Sequence, residues 1–205
     1  MSIAVRIARA YSGKDKIAFS GYHGWSDWYL ATNLGGDKLG SHLLSGLEPK
    51  GVPAGLENTM YPFTYNDLEE LENICTNNDI GVIVIEGARY DFPTKEFLEG
   101  ITRISKQYGV VVVVDEITSG WRLTDGGVHK LYNFEPDIAV YGKALGNGYA
   151  ISAIVGKKEI MDVAQDTFIS STFWTERVGF VAALATLNKL TSNKVWEHLS
   201  SIGHL

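Results

Sequence analysis

Apolar residues fall along the chain in two spacings. Leu68, Leu71, Ile74 and Cys75 recur at the period of a helix face, as do Phe97, Ile101, Ile104 and Tyr108, which Gly109 stops. Asn66 followed by Glu69 has capping-box spacing and predicts the start of the first of these helices. Between them lie continuous apolar runs. Gly81 to Ile85 ends in Glu86, Gly109 to Val114 holds five successive valines and ends in Asp115, and Ile138 to Tyr141 ends in Gly142 and Lys143. Runs this short and β-branched predict strands buried on both faces of a parallel sheet. Lys16 to Ser20 and Ala150 to Val155 are further strand segments, and Phe168 to Ser171 reads as another. Ile3 to Ala10, Lys157 to Ala164 and Glu176 to Leu190 read as helices, whereas residues 35–58, rich in glycine and with Pro49 and Pro53, read as a long irregular loop. Strands alternating with helices predict an α/β fold, a mostly parallel sheet with helices on both faces.

The strand ends carry the chemistry. In open α/β sheets the carboxyl ends of the strands line the ligand crevice. Asp115 and Lys143 are delivered there by different strands, so an acid and an amine can face one small molecule. The strand before Lys143 and the glycine turn after it predict apolar surroundings for the amine, with room for a bulky group. A third strand, Lys16 to Ser20, leads into the aromatic turn Gly21-Tyr22-His23-Gly24-Trp25.

Composition narrows the function classes. With 205 residues, 45% hydrophobic, the chain can bury one sizeable core. A net charge of −6, without a basic run, argues against nucleic acid or an anionic membrane as partner. No apolar run is long enough to span a bilayer, and the single cysteine, Cys75, sits on the apolar face of its helix. These features predict a soluble protein of the cytoplasm. A nucleotide-binding phosphate loop is only weakly matched, because Ala144 follows Gly142-Lys143 and Asp137 stands where the first glycine should be; the dinucleotide fingerprint is absent as well. His23, His42, His129, His198 and His204 lack ligand spacing for a metal, and Ser119 lacks a nucleophile elbow. What remains is an amine able to form a Schiff base, a carboxylate able to hold a ring nitrogen protonated, and a flat group to stack on a ring. Pyridoxal phosphate chemistry needs those three.

Tyr22-His23-Gly24-Trp25, the block Asp115-Glu116-Ile117-Thr118-Ser119-Gly120-Trp121-Arg122, and Pro136-Asp137 through Gly142-Lys143-Ala144-Leu145-Gly146-Asn147-Gly148 together resemble the class III aminotransferases of fold type I. The branch of glutamate-1-semialdehyde 2,1-aminomutase is the most similar, because its aspartate block also ends in an aromatic and an arginine. The resemblance implies pyridoxal 5'-phosphate as cofactor and amino-group transfer between a small-molecule donor and a keto or aldehyde acceptor, by a ping-pong route through pyridoxamine phosphate. An intramolecular amino shift and a non-catalytic truncated domain are the alternatives. It implies that Lys143 carries the cofactor and shuttles protons, and that Asp115 pairs with the pyridine nitrogen. Tyr22 would stack on the ring with His23 and Gly24 shaping that wall, and Ile117 would pack the other face. Glu86 matches an acidic position near the ring, and Thr172 one that reaches the cofactor phosphate of a neighbouring subunit in a homodimer. Family members are about twice as long. The expected organisation is therefore a cofactor-binding large domain over residues 1–190, beginning inside a helix with its phosphate loop upstream, and the start of a small domain at 191–205.

Overall fold

A computed structural model of the chain describes residues 1–203, so His204 and Leu205, the end of the expected small-domain start, lie outside the described residues. In chain order the regular elements are α1 (Ser2–Ser12), β1 (Lys16–Ser20), α2 (Asp27–Leu30), α3 (Lys38–His42), β2 (Met60–Pro62), α4 (Leu68–Asn77), β3 (Ile80–Glu86), α5 (Lys95–Tyr108), β4 (Val111–Asp115), β5 (Ile138–Tyr141), β6 (Ala153–Gly156), α6 (Lys158–Met161), α7 (Arg177–Asn193) and α8 (Val195–Gly203). The strands form one sheet in the order β2-β1-β3-β4-β5-β6. All neighbours are parallel except β5 and β6.

The strands alternate between two cores. On one side, Val82, Val84, Val111, Val113, Ile138 and Val140 pack with Ala4, Val5, Ile7 and Ala8 of α1. On the other, Ile83, Ile85, Val112 and Val114 pack with Leu71 and Cys75 of α4 and with Phe97, Leu98, Ile101 and Ile104 of α5. Each fully buried valine contributes about 1.5–3 kcal/mol, so the unbroken run of β4 has an apolar partner layer for both of its faces. Asp115 continues the parity of Val111 and Val113, and it is the register partner of Glu86. Both carboxylates therefore leave the sheet toward the same side.

Several expectations shift. The capping box fails by one residue: Asp67, not Asn66, caps α4 by accepting from the Glu70 N–H. Asn66 instead takes a left-handed φ of 69°, and its side chain bridges Phe92 O and the Thr94 N–H. The strand expected from Ala150 shortens to β6 and runs antiparallel, because no crossover helix lies between Tyr141 and Ala153. Phe168 to Ser171 forms no strand; Phe168 is 86% exposed. The 35–58 loop contains α3 and a 3₁₀ turn at Ala54–Leu56. Buried Asn33 ties it together, donating to Asp37 Oδ1 and Leu47 O and accepting from the Leu39 N–H. Among the described residues, no helix is long and apolar enough to cross a membrane.

Cys75 is buried on α4 as its spacing predicts, and burial, aided by the charge of Glu72, pushes its thiol up to about 11. Alkylation of the native chain at pH 8 should accordingly run about a hundred-fold slower than in urea-unfolded chain. Comparable rates, followed by mass spectrometry, would show that α4 does not close over the thiol.

Candidate active site

The carboxyl ends of β1, β3, β4 and β5 share one edge of the sheet, and seven of the eight residues singled out in the sequence are found there. After β1 the chain turns sharply at Gly21, whose φ is +113°. A Cβ on Gly21 would stand 2.5 Å from Glu86 Oε2, so only glycine fits. The turn is held from three sides: Gly21 N–H donates to His42 Nε2 at 3.2 Å, Tyr22 N–H to Glu86 Oε2 at 2.9 Å, and Tyr29 hydroxyl to Gly21 O at 3.1 Å. Burial lowers the pKa of His42, with nearby His23 acting the same way, which suits a ring that accepts through Nε2. Tyr22 is half-buried with its ring edge-on to Tyr29. The Arg89 guanidinium lies 5.4 Å from the Tyr22 ring centroid. Gly24, at φ +99°, has open space around it. Of the neighbouring aromatics, Trp28 and Tyr29 are core residues, whereas Trp25 is 79% exposed.

Asp115 is buried at the end of β4. Its Oδ1 accepts from the Ile117 N–H at 3.0 Å, and its Oδ2 lies 2.9 Å from His23 Nδ1. The same His23 ring reaches Ser20 O through Nε2 at 3.3 Å and stacks on Trp28, which fixes its orientation. Ile117 leans on the Gly142 turn; a Cβ on Gly142 would be 3.4 Å from Ile117 Cγ2. Lys143 then takes a left-handed φ of 42°. That conformation costs a non-glycine residue on the order of 1–3 kcal/mol and concentrates at functional sites. The apolar surroundings expected for this amine are not found: Lys143 is exposed, and its Nζ donates to Thr118 Oγ1 at 2.7 Å.

Glu86 also differs from a free acid beside a ring. Both its oxygens accept from Arg89 Nε, at 2.9 and 2.8 Å, and Oε2 holds the Tyr22 N–H as well. The Arg89 guanidinium is pushed further up by this hydrogen bond, although partial burial opposes it. Thr172 stands exposed in the segment before α7, and no hydrogen bond joins it to the cluster. Sequence reasoning missed Arg89, Thr118 and a third buried acid, Glu116. Thr118 and Glu116 lie inside the aspartate block, so their position was visible, but the partner of Thr118 comes from the Lys143 turn and Glu116 is met by His129 thirteen residues on.

With this geometry the comparisons with known proteins are decisive. A family model for class III aminotransferases matches residues 1–205. The chain belongs to that family. It is 38% identical over 211 aligned positions to the 3-aminobutyryl-CoA aminotransferase of Cloacimonas acidaminovorans, covering 98% of this chain and 47% of that protein. To the glutamate-1-semialdehyde 2,1-aminomutase of Syntrophomonas wolfei it is 35% identical, covering 97% and 48%. Among solved structures, a transaminase with PLP bound superposes with a TM-score of 0.80 at 28% identity, over 92% of this chain and 46% of that one. The PLP internal aldimine form of the FumI protein of Sphingopyxis sp. MTA144 gives 0.77 at 26% identity, over 93% and 44%. The chain thus spans about half the length of the class III relatives it matches, and its sheet and helices follow the fold type I architecture of the transaminases.

The Arg89–Glu86 pair makes a stability prediction. Arg89→Met leaves a buried carboxylate with its main partner removed, and Arg89 is 27% exposed, so the loss should be modest, about 1–3 kcal/mol in urea unfolding. Adding Glu86→Gln should restore part of it. A double variant as unstable as the sum of the singles would mean that the pair is not coupled.

Proposed function

We propose that this chain is the cofactor-binding part of an enzyme that moves an amino group with pyridoxal 5'-phosphate, from a small-molecule amino donor to a keto or aldehyde acceptor. The observation that carries the reading is the buried Asp115 carboxylate, oriented by His23 and the Ile117 N–H, one strand away from an exposed lysine with a strained backbone. The donor set fits the group. An ionised carboxylate has about four lone-pair sites, and two protein donors occupy those of Asp115, which leaves capacity for a protonated ring nitrogen. Bound here, pyridoxal phosphate supplies a carbonyl for the amine and an electron sink for the bonds around the substrate carbon.

The chain's own residues do the rest. Asp115 holds a proton on the ring nitrogen through a charge-assisted hydrogen bond worth about 1.5–3 kcal/mol. His23 keeps that carboxylate turned toward the ligand. Tyr22, with Gly24 leaving its side open, forms one wall and Ile117 the other, while Glu86 fixes the Tyr22 turn and, with Arg89, closes the far side. Lys143 is the amine that takes up the cofactor and afterwards carries a proton to and from the substrate carbon. Thr118 steers its Nζ.

In this reading residues 1–190 form the large domain and 191–205 lead into a small one. The enzyme works in the cytoplasm as a homodimer. Support for the dimer comes from the segment around Thr172 and from α7, which expose Phe168, Phe173, Trp174, Phe180, Val181 and Leu184; Thr172 would there reach the partner's cofactor phosphate. An intramolecular amino shift is the second reading, favoured by the identity to a protein named an aminomutase.

The test is to add pyridoxal phosphate to the purified chain, follow the visible spectrum, reduce with borohydride and map the modified peptide. The label should fall on Lys143 and vanish in Lys143→Ala. Asp115→Asn should keep the label while slowing amino-group transfer about tenfold to a hundred-fold, the scale of losing one charge-assisted hydrogen bond in the reacting state. A label spread over other lysines, or none in a folded chain, would overturn the reading.

A further inference from the structure

Glu116 has the most enclosed charged group among the described residues, with no solvent exposure. It follows Asp115 directly but turns to the other side of the strand end. Ser119 Oγ donates to its Oε2 at 2.6 Å; the His129 N–H and His129 Nδ1 meet its Oε1 at 3.1 and 2.8 Å. Two glycines make room for it. A Cβ on Gly87 would stand 2.5 Å from Oε2, and one on Gly127 2.6 Å from Oε1. Burial alone would raise this carboxyl, but the bonds from His129, Ser119 and the backbone at Val128 and His129 outweigh it, so the group lies below its ordinary range. A charge buried this way loses several kcal/mol of hydration. The bonds that offset the loss close one loop, residues 116–129, against the end of β3.

That loop is the one in contact with Lys143. Ile117 packs on Gly142, and Thr118 accepts from Lys143 Nζ. Further along the loop, Trp121, at φ 58°, lies 4.7 Å from the Tyr141 ring, and Tyr141 leads into the lysine turn. Gly87 N–H donates to Asp115 O, so the residue that cradles Glu116 also ties β3 to β4 at the site.

We infer that Glu116 is a positioning residue for Lys143: its buried carboxylate, clamped by Ser119 and His129 between Gly87 and Gly127, sets the loop that presents Thr118 to the amine. Glu116 touches neither the amine nor the space before it; it acts through Thr118 and Ile117. The inference rests on Lys143 being the reactive amine of the proposed function. Its test therefore uses a reagent that needs no cofactor.

The measurement is competitive acylation of lysines in the full chain with acetic anhydride, quantified by mass spectrometry across pH, as the ratio of Lys143 to Lys157. Lys157 pairs with Asp137 near the other ends of the strands and serves as internal reference. Removing the acceptor should free the amine. Thr118→Val should raise the ratio about threefold to tenfold, the range for weakening one hydrogen bond of an exposed charged group. Glu116→Gln should raise it similarly, and the double variant no further than either single. Additive effects, or a Glu116→Gln chain that unfolds earlier in urea with its ratio unmoved, would overturn the inference and leave Glu116 a purely structural acid. Should Glu116→Gln fail to fold, Ser119→Ala removes one bond and keeps the carboxylate. It should move the ratio about twofold in the native background and not in Thr118→Val; a ratio unmoved in the native background is equally fatal. Failure of pyridoxal phosphate to attach to Lys143 would count against the proposed function and leave this ratio measurable.

Discussion

Burial of the sheet on both faces is the constraint from which the site follows. β3 and β4 are buried at every residue, and alternate positions feed the cores under α1 and under α4 and α5. A strand of this kind has no face left for a polar side chain. The only polar groups it can offer a ligand are those at its ends, where the register of β3 against β4 sets Glu86 beside Asp115. The sheet order does the rest: β5 next to β4 puts the Lys143 turn within reach of Ile117 and Thr118. One strand further out on the opposite side, β1 delivers a turn whose His23 crosses over β3 to reach Asp115.

The fold was legible where one local signal sufficed. The valine run, the helix face from Phe97 to Tyr108 and the left-handed Gly109 that ends it are each decided by neighbouring residues. Legibility failed where two local solutions compete or where the answer lies elsewhere in the chain. Asn66 and Asp67 both suit a cap; Asp67 takes it because Asn66 is drawn into the Phe92–Thr94 backbone, a contact invisible to spacing. Phe168 to Ser171 has the composition of a strand but pairs with none of the six strands. The long loop looked structureless because its organiser, Asn33, lies just before it and acts through hydrogen bonds to residues up to Leu47.

The site shows the same division. Asp115, Lys143 and Tyr22 were readable because a strand end, a glycine turn and an aromatic turn each mark a position. Their partners were not. His23 reaches Asp115 across a strand and His129 reaches Glu116 around a loop, and for neither does sequence spacing carry the distance; Arg89 stands three residues after Glu86, but no periodic element there announces the pair. The exposure of Lys143 was missed for a related reason: the apolar run before it is buried, but the left-handed turn at Lys143 carries the amine out of the core.

These nitrogen partners settle how charge is distributed at the sheet's edge. Three carboxylates stand at the ends of two neighbouring strands, and each has its own nitrogen: Asp115 has His23, Glu86 has Arg89, and Glu116 has His129. Left unpaired, three buried acids this close would repel one another and draw in the nearest amine. Lys143 stands at the end of the next strand, and among the described residues its Nζ is held by a hydroxyl and by no carboxylate. With every acid satisfied from elsewhere, the lysine is left outside any ion pair, exposed and held only by the Thr118 hydroxyl.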